Sequence, residues 1–528
     1  MAIHDALNAT DDEKACEGKP AGPASIRNAS PEQKPRLLAA EWPQQRFYSH
    51  FSDALNEQCI TGLRDSNPED SAFRLLSRSQ FLAALFFAAF FIPVSVQWPL
   101  TVFMALSIFT AIYFLSAIAF RVWLLLLSTN ETIGGSSTEP LQGGDLPVIT
   151  ILLPLYKDAK ALPLLAQSID LLDYPEEKKD VKLLLEEDDI ETLQEAVRLG
   201  IDRKFQLIVT PNIEPKTKPK ACNYGLYLAR GELIVIYDAE DQPEPDQLLK
   251  AAAAFHNADD KLACVQARLN YYNHDDNWLT RLFTLEYSLW FDWLLPSLQR
   301  MKVPIPLGGT SNFFRTNTLI KLGGWDPFNV TEDADLGLRI SKHGYRVELL
   351  DSTTFEEANC RTSNWIRQRS RWLKGYLQTW LVHMRSPGKI IKTTGLRGFL
   401  AVQLFVAGNV FSALINPVMW TLSLIWLFAS PEFIETLFPA PLLYFNLAAL
   451  IIGNSFFIAI MVLAPIKRGR NELCIYGLST PLYWLLTSVA AYKAIWQAIS
   501  RPHYWEKTDH VISRAAQERR RRALAGHF

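Results

Sequence analysis

The chain is sparing with the residues that staple or metallate a fold. Its six cysteines (Cys16, Cys59, Cys222, Cys264, Cys360 and Cys474) are scattered, with no Cys-x-x-Cys pair and no Cys/His cluster at zinc spacing. A disulfide framework or structural zinc is therefore not expected, and a reducing compartment fits. The first thirty residues hold no apolar core, so no cleavable signal peptide is expected. A net charge of only −2 by itself says nothing about a nucleic-acid partner, and none is expected.

What is present is unevenly distributed. Hydrophobic residues make up 49% and charged residues 20% of 528, near soluble averages, yet the apolar residues gather in blocks towards both ends. Residues 81–96 and 100–127, joined by Trp98-Pro99, can each cross a hydrocarbon core. Arg74 and Arg78 precede the pair and the turn carries no charge, so its two outer ends are expected in the cytoplasm. Apolar blocks resume at 398–429, which Asn416-Pro417 could split, at 442–465 and at 476–498. Lys467, Arg468, Arg470 and the basic tail (Arg519 to Arg522) all fall inside if 398–429 is one tilted helix and 476–498 is re-entrant or interfacial. Six true spans would satisfy the tail alone, so the count stays open between four and six.

The expected organisation is a polar, largely disordered region 1–77, a transmembrane hairpin 78–127, a cytoplasmic α/β domain 145–360, an interfacial region 361–397, helices 398–498 and a basic cytoplasmic tail 499–528. Within 1–77, residues 42–63 show helical apolar spacing, and residues 128–144 form a Gly/Ser/Thr-rich linker. Apolar runs of buried-strand type stand at 148–153, 181–185, 205–209, 233–237 and 263–267, separated by helical stretches such as 159–172 and 220–229. That alternation predicts a largely parallel sheet covered on both faces, with ligands beyond the carboxyl ends of its strands. Residues 280–298 read as an amphipathic, interfacial helix.

Two of those strand ends deliver acids: Glu186-Glu187-Asp188-Asp189, and Asp238-Ala239-Glu240-Asp241. Either cluster alone could be a solvated loop start. Both at one sheet edge repel unless a cation neutralises them, and a divalent metal shared with substrate phosphates is the usual resolution. Leu307 opens a Gly-Gly-Thr-Ser loop that lets backbone approach a ligand. Thr331 is a candidate N-cap before Glu332, Asp333 and Asp335, although acids in a first helical turn are also ordinary dipole partners. Finally, residues 365–376 read Trp-Ile-Arg-Gln-Arg-Ser-Arg-Trp-Leu-Lys-Gly-Tyr. On a helix Gln368, Arg371 and Trp372 share one face, while Arg367 and Lys374 point elsewhere, to solvent or headgroups. The stretch reads either as a basic aromatic anchor or as an amide, a guanidinium and an indole offered to a phosphorylated, sugar-bearing substrate.

Together these elements resemble the processive family-2 glycosyltransferases of membranes, which include cellulose, curdlan, mixed-linkage glucan and hyaluronan synthases. The resemblance rests on Glu186-Glu187-Asp188, Asp238-Ala-Glu240-Asp241, Thr331-Glu332-Asp333 and Gln368-Arg-Ser-Arg371-Trp372. Pro154-Leu-Tyr-Lys157 and Lys218-Pro-Lys220-Ala-Cys-Asn223 are similar to the family's nucleotide-side motifs. It implies an α/β GT-A (Rossmann-like nucleotide-sugar) domain inserted between transmembrane α-helices of an integral membrane protein. It further implies Asp333 as general base, and Glu186, Glu187, Asp188, Lys220 and Asp238 as donor-binding residues. Asp238 with Glu240 or Asp241 would hold Mg²⁺ or Mn²⁺, with strand-end alignment favouring Glu240. Glu332, Gln368, Arg371 and Trp372 would serve the acceptor and the diphosphate. Two departures stand out: Glu-Glu-Asp-Asp replaces the usual Asp-Asp, and Asp-Ala-Glu-Asp replaces Asp-x-Asp.

The implied reaction is inverting polymerisation of a β-linked exopolysaccharide, a glucan by expectation, from a UDP-sugar such as UDP-glucose. Implied partners are that donor, the growing polysaccharide, the lipid bilayer and accessory exopolysaccharide proteins. The implied location is the bacterial inner membrane, multi-pass, with the catalytic domain in the cytoplasm. The tail after Ala498 is too short for a fused cyclic-di-nucleotide receptor domain. The nearest alternative is non-processive transfer of one sugar to a lipid phosphate, by enzymes that generally lack Q-x-x-R-W. A scaffold with a degenerate, sugar-nucleotide-binding domain is the other.

Overall fold

The computed structural model describes residues 47–48, 51–128, 145–429, 432–508 and 513–525. The readings of residues 1–46 and of the linker 129–144 lie outside them. One sheet of nine strands organises the described residues: β1 (Phe47–Tyr48), β2 (Ile149–Leu155), β3 (Lys179–Glu186), β4 (Gln206–Thr210), β5 (Leu233–Ile236), β6 (Gln242–Pro243), β7 (Leu262–Tyr271), β8 (Asn312–Arg315) and β9 (Arg346–Glu356). Their order is β1-β4-β3-β2-β5-β8-β7-β9-β6. From β1 to β5 every pairing is parallel, but β8 runs antiparallel to both β5 and β7. The sheet is thus largely parallel but mixed, with β8 and the short β6 running against the other strands; β8 forms inside the Gly-Gly loop region, where no apolar run announces a strand.

Alternate side chains of the parallel strands enter two separate cores, as strand periodicity requires. Ile149, Ile151, Leu153, Leu183, Leu185, Leu207 and Val235 pack on one face. Leu152, Leu184, Ile208, Ile234 and Ile236 pack on the other, which continues into the helices beneath the sheet. Both faces are therefore dry, and polar chemistry is left to the strand ends.

The described part of 1–77 includes a helix that overlaps the stretch of helical apolar spacing at 42–63. Helix Asp53–Ser66 is capped by Ser52 and buries Leu55, Cys59 and Leu63, spaced four residues apart. It lies on helix Lys218–Tyr227: the Asn223 amide donates to the Cys59 carbonyl (2.9 Å), and the Tyr224 hydroxyl donates to Asn56 (2.8 Å).

Among the described residues, five helices are long and apolar enough to cross a membrane: Arg78–Gln97, Pro99–Ser128, Pro387–Ala429, Ala440–Arg468 and Asn471–Ser500. The first two form a hairpin whose outer ends meet the domain built on the sheet. Gln80 donates to the Leu381 carbonyl (2.7 Å), and Ser297 donates to the Leu124 carbonyl (2.6 Å). Pro417 sits inside a continuous helix, Gly408–Ala429, and does not split it. At the far end, Phe438 packs edge-on against Phe103, with centroids 5.1 Å apart.

The chain then returns to the side of the sheet. Arg468 forks onto Asp292 (2.6 and 2.8 Å), and the Trp293 indole donates to the Ala464 carbonyl (3.1 Å). Helix Thr480–Ser500 starts and ends on that same side. The Trp278 indole donates to Ser479 at its start (2.8 Å), and Lys374 and Gln378 hold the Tyr504 and Pro502 carbonyls after its end (2.6 and 2.8 Å). It lies along helix Thr362–His383, burying Tyr483, Ala490, Ala491 and Ala494, while Leu482, Leu485, Val489, Trp496 and Ile499 face outwards. The helical region 280–298 also departs from expectation. It is interrupted by a π-helical turn, Trp290–Leu294, and its Leu282, Phe283, Leu285 and Phe291 belong to the main core instead of a surface.

Candidate active site

A cavity of about 360 Å³ opens beyond the carboxyl ends of β2, β3 and β5. Its roof is helix Thr362–His383, and Trp290 and Phe291 of the π-helical turn form part of its wall. Of the residues singled out in the sequence, Glu186, Asp238, Glu240, Glu332, Asp333, Gln368, Arg371 and Trp372 line it. Four others are not lining residues: Glu187, Asp188, Lys220 and Asp241.

Each of those four has visible partners. Lys220 is fully buried, with its three ammonium donors directed to Glu186 (2.9 Å) and to the Pro211 and Ile213 carbonyls (3.1 and 2.9 Å). It fixes the β3 end and the following loop, so no donor remains for a ligand. Asp188 accepts from the Tyr156 hydroxyl (3.1 Å) and from Lys216 (2.9 Å), both of which do line the cavity. Glu187 lies outside, accepting from the Asn212 backbone (3.2 Å). Asp241 is 1% exposed and accepts from the Asp238 N–H (2.7 Å) and from the Thr310 hydroxyl. It shapes the turn that presents Asp238.

Lys218, passed over in favour of Lys220, does line the cavity. Its ammonium donates to Asp238 (2.5 Å) and to the Gly309 carbonyl (2.8 Å). The ion pair with Asp238 outweighs burial and holds the lysine charged, above the ordinary lysine range.

The acids on this side suit a hard cation. Burial, and then the charges of Asp238 and Glu240, push the Asp241 carboxyl well up, and one of its oxygens has no hydrogen-bond partner. Burial and the same acids push up Glu356, a cavity-lining carboxylate at the end of β9 that no strand-end pattern flagged. Among the described residues no three acidic, His or Cys side chains form a metal-holding group. Mg²⁺ or Mn²⁺ shared with substrate phosphates needs only one or two protein carboxylates. Asp238 and Glu240 are the residues that would hold it.

Across the cavity, helix Glu332–Lys342 begins at Thr331, which makes no side-chain capping bond; its backbone N–H donates instead to Asn329 (3.0 Å). Burial, and then the charge of Asp333, push the Glu332 carboxyl up to about 8. Asp333 is also raised by burial, opposed by a hydrogen bond from the Ala334 N–H (2.7 Å) and by the charges of Lys218 and Arg371. The two carboxyls titrate as a pair, in which burial and the neighbouring charge disfavour two negative carboxylates at once. Gly309 gives Asp333 room: a Cβ there would stand 3.3 Å from its carboxylate oxygen.

The Q-x-x-R-W helix approaches this pair closely because residue 375 is glycine. A Cβ at Gly375 would lie 2.3 Å from the Thr331 side chain. Arg371 faces the cavity beside Glu332, Asp333 and Asp238, stacked 4.4 Å over Trp505, and its Nε has no hydrogen-bond partner. Gln368 accepts from Asn359 (2.8 Å), which fixes the amide. Trp372 packs against Phe283 and Tyr287 at centroid distances of 5.8 and 6.3 Å.

Three features of this helix escaped the sequence. Arg369, between the motif residues, is a buried anchor paired with Glu286 and Tyr483 (2.9 Å) and surrounded by the rings of Phe283, Trp365 and Trp372. Lys374 is buried, not directed to solvent or headgroups. The tail 499–508, read as a free basic end, is a strap over the site: Trp505, Lys507 and Thr508 line the cavity, and Lys507 donates to the Tyr156 and Lys157 carbonyls (2.9 and 2.7 Å). A second part of the tail, helix Arg514–Ala525, is tied to the sheet by Ala516, which is buried in its core.

This geometry has counterparts among known proteins. The model described as Glycosyl transferase family group 2 matches residues 233–463. The Beta-monoglucosyldiacylglycerol synthase of Trichormus variabilis is 27% identical over 242 residues, 45% of this chain and 51% of that protein. Glucomannan 4-beta-mannosyltransferase 1 of Oryza sativa is 27% identical over 241 residues, 43% of this chain and 45% of that protein. The chain thus spans about half the length of the curated relatives it matches. The solved mannosyltransferase PcManGT from Pyrobaculum calidifontis, in complex with GDP-Man and Mn²⁺, matches with a TM-score of 0.50 and 18% identity, covering 75% of this chain and 99% of that one. This likeness gives the fold, a GT-A-like nucleotide-sugar architecture with a mixed sheet. In sequence, the family model and these relatives make the matched residues similar to family 2 glycosyltransferases.

Proposed function

We propose that the protein is an inverting, membrane-embedded hexosyltransferase that extends a β-linked polysaccharide from a UDP-sugar, by expectation UDP-glucose, in the cytoplasmic membrane of a bacterium. The observation that carries this reading is the convergence, in one cavity, of Asp238, the Glu332–Asp333 pair and the Arg371–Trp372 face of the Q-x-x-R-W helix.

In the reaction, the acceptor hydroxyl oxygen attacks the anomeric carbon from the side opposite the diphosphate. The bond to the diphosphate oxygen breaks with its electron pair, and the configuration inverts. Asp333, its carboxyl raised by burial, takes the hydroxyl proton. Arg371 meets the departing diphosphate with donors that match phosphate oxygens. Lys218 adds a second positive charge beside Asp238. A divalent cation on Asp238 and Glu240, when bound, offsets charge on the leaving diphosphate. Trp372 offers a ring face to the acceptor sugar. The expected accessory exopolysaccharide proteins would act on the product beyond this site.

The bilayer reading places four spans (78–97, 99–128, 408–429 and 440–463) across the membrane. It lays Thr480–Ser500 at the interface, with Leu482, Leu485, Val489, Trp496 and Ile499 towards lipid. Both ends of that helix contact the catalytic side, and Lys467 and Arg468 then fall inside. Cysteines introduced at Ser500 and Arg470 should be labelled from the same side of the membrane; opposite labelling would make the helix a span.

A second reading is supported by the glucosyldiacylglycerol synthase among the relatives: transfer of one hexose to a lipid. Purified protein in detergent, offered a panel of radiolabelled UDP-sugars with Mg²⁺ or Mn²⁺, separates the two. The first reading expects a long product from one donor, lost on chelation. A single-sugar lipid product would replace it, and no turnover of any UDP-sugar would refute both.

A further inference from the structure

Arg121 is 8% exposed and lies about two turns inside helix Pro99–Ser128, with no acidic partner among the described residues. A cation at such a position is costly and calls for a functional explanation. Its guanidinium sits between the Phe405 and Phe457 rings, 5.5 and 5.0 Å from their centroids, and one nitrogen donates to Asn409 Oδ1 at 3.0 Å. A guanidinium can only donate, so the Asn409 oxygen must face it and the amide NH₂ must face away. Asn409 itself lines the active-site cavity. Its NH₂ has no hydrogen-bond partner among the described residues.

The backbone explains how a residue of a membrane helix reaches the catalytic cavity. Two π-helical turns, Trp290–Leu294 and Gln403–Ala407, meet here, with Trp290 and Phe405 ring centroids 5.0 Å apart. Such a turn shifts the phase of the helix that follows, and Asn409 is the second residue beyond the latter one. The same cavity is also lined by the rings of Tyr287, Trp290, Phe291 and Tyr376.

We infer that Asn409 contacts the acceptor at the membrane end of the cavity, and that Arg121 is the positioning residue that sets its amide. The NH₂ donates to an oxygen of a hydroxyl-bearing acceptor, whose apolar faces lie on the surrounding rings. The inference rests on the glycosyl-transfer reading above and deepens it. The hydroxyl is that of a sugar or of a glyceride, and the two sources are separable.

Asn409→Asp distinguishes this role from mere packing. The carboxylate keeps an oxygen on Arg121 and adds an ion pair, while the donor towards the cavity is lost. The full chain in detergent is assayed at saturating UDP-sugar, in one arm with a soluble β-linked gluco-oligosaccharide and in the other with diacylglycerol in mixed micelles. In whichever arm the wild type transfers, Asn409→Asp should raise the acceptor KM roughly ten-fold, with the donor KM unchanged and the unfolding temperature not lowered. Asn409→Leu, of similar volume, should raise the same KM. Arg121→Lys, which still donates to the oxygen, should recover most of the wild-type value. An acceptor KM within about two-fold of wild type in both Asn409 variants overturns the inference alone. A wild type that turns over no UDP-sugar overturns the glycosyl-transfer reading, and the inference with it.

Discussion

The two walls of the cavity are built in opposite ways. On the wall proposed for the donor, the donor wall below, acids already meet lysines: Glu186 with Lys220 (2.9 Å), Asp188 with Lys216 (2.9 Å) and Asp238 with Lys218 (2.5 Å). On the wall proposed for the acceptor, the acceptor wall below, Glu332 and Asp333 make no direct ion pair among the described residues, and Arg371 is held over a ring with its Nε unpartnered. The donor wall is rigid before any ligand arrives, because removing a member of a buried pair leaves an uncompensated charge. The acceptor wall keeps its charge available for a ligand, and its shape comes from aromatic packing and the glycine contacts at 309 and 375.

This contrast can be broken from either side. The largest effect on stability is expected at the donor wall. Lys220→Met strands the buried Glu186 carboxylate and should cost about 3–5 kcal/mol in denaturant unfolding. Lys218→Met, two residues away, should cost less stability and weaken donor binding more, because Asp238 is a third exposed. Equal stability losses in the two variants would erase the distinction between them.

At the acceptor wall the losses should be catalytic. Arg371→Ala is expected to lower kcat by roughly 10²–10³-fold while the melting temperature holds, since its donors act on charge that develops in the reaction. Trp372→Ala should shorten the product and cost about 1 kcal/mol in acceptor affinity, with Trp372→Phe recovering part of it. An unchanged chain length would remove the ring from the acceptor site.

The smallest effect is in pH dependence. The Glu332 carboxyl is raised to about 8 in the folded chain, from an ordinary value of 4.5. The folded state therefore binds more protons between those values, and this contribution to stability is full below the lower one and lost as pH rises through the upper. Glu332→Gln should flatten that decline in unfolding free energy, and an unaltered slope would assign it elsewhere.

The same contrast explains what was legible in the sequence. Acids that follow an apolar run announce a strand end, so Glu186, Asp238 and Glu240 could be found one stretch at a time. Choosing between Lys218 and Lys220 could not be done that way. Two residues apart on a helix, they point roughly 200° apart, and only the tertiary fold says which direction is the cavity. Asp241 fits the motif as well as Glu240 does, but turn geometry buries it under Thr310. The mixed sheet was hidden because β8 grows out of a Gly-rich loop, and β9 carries charges along its length. Glu356, Asn409 and the strap 501–508 come from segments far from any motif, joined to the site only by packing. Lys374 looked solvent-facing because nothing local reveals the Tyr504 carbonyl that receives it.

The most direct measurement is a paired assay on Asp333→Asn, with UDP-sugar binding and sugar transfer followed in the same preparation. The donor wall is untouched, so binding should stay near the wild-type value. Without the base, transfer should fall by roughly 10²–10⁴-fold. Transfer within about ten-fold of wild type, with donor binding intact, would place the proton acceptor elsewhere and contradict the assignment of this cavity's chemistry.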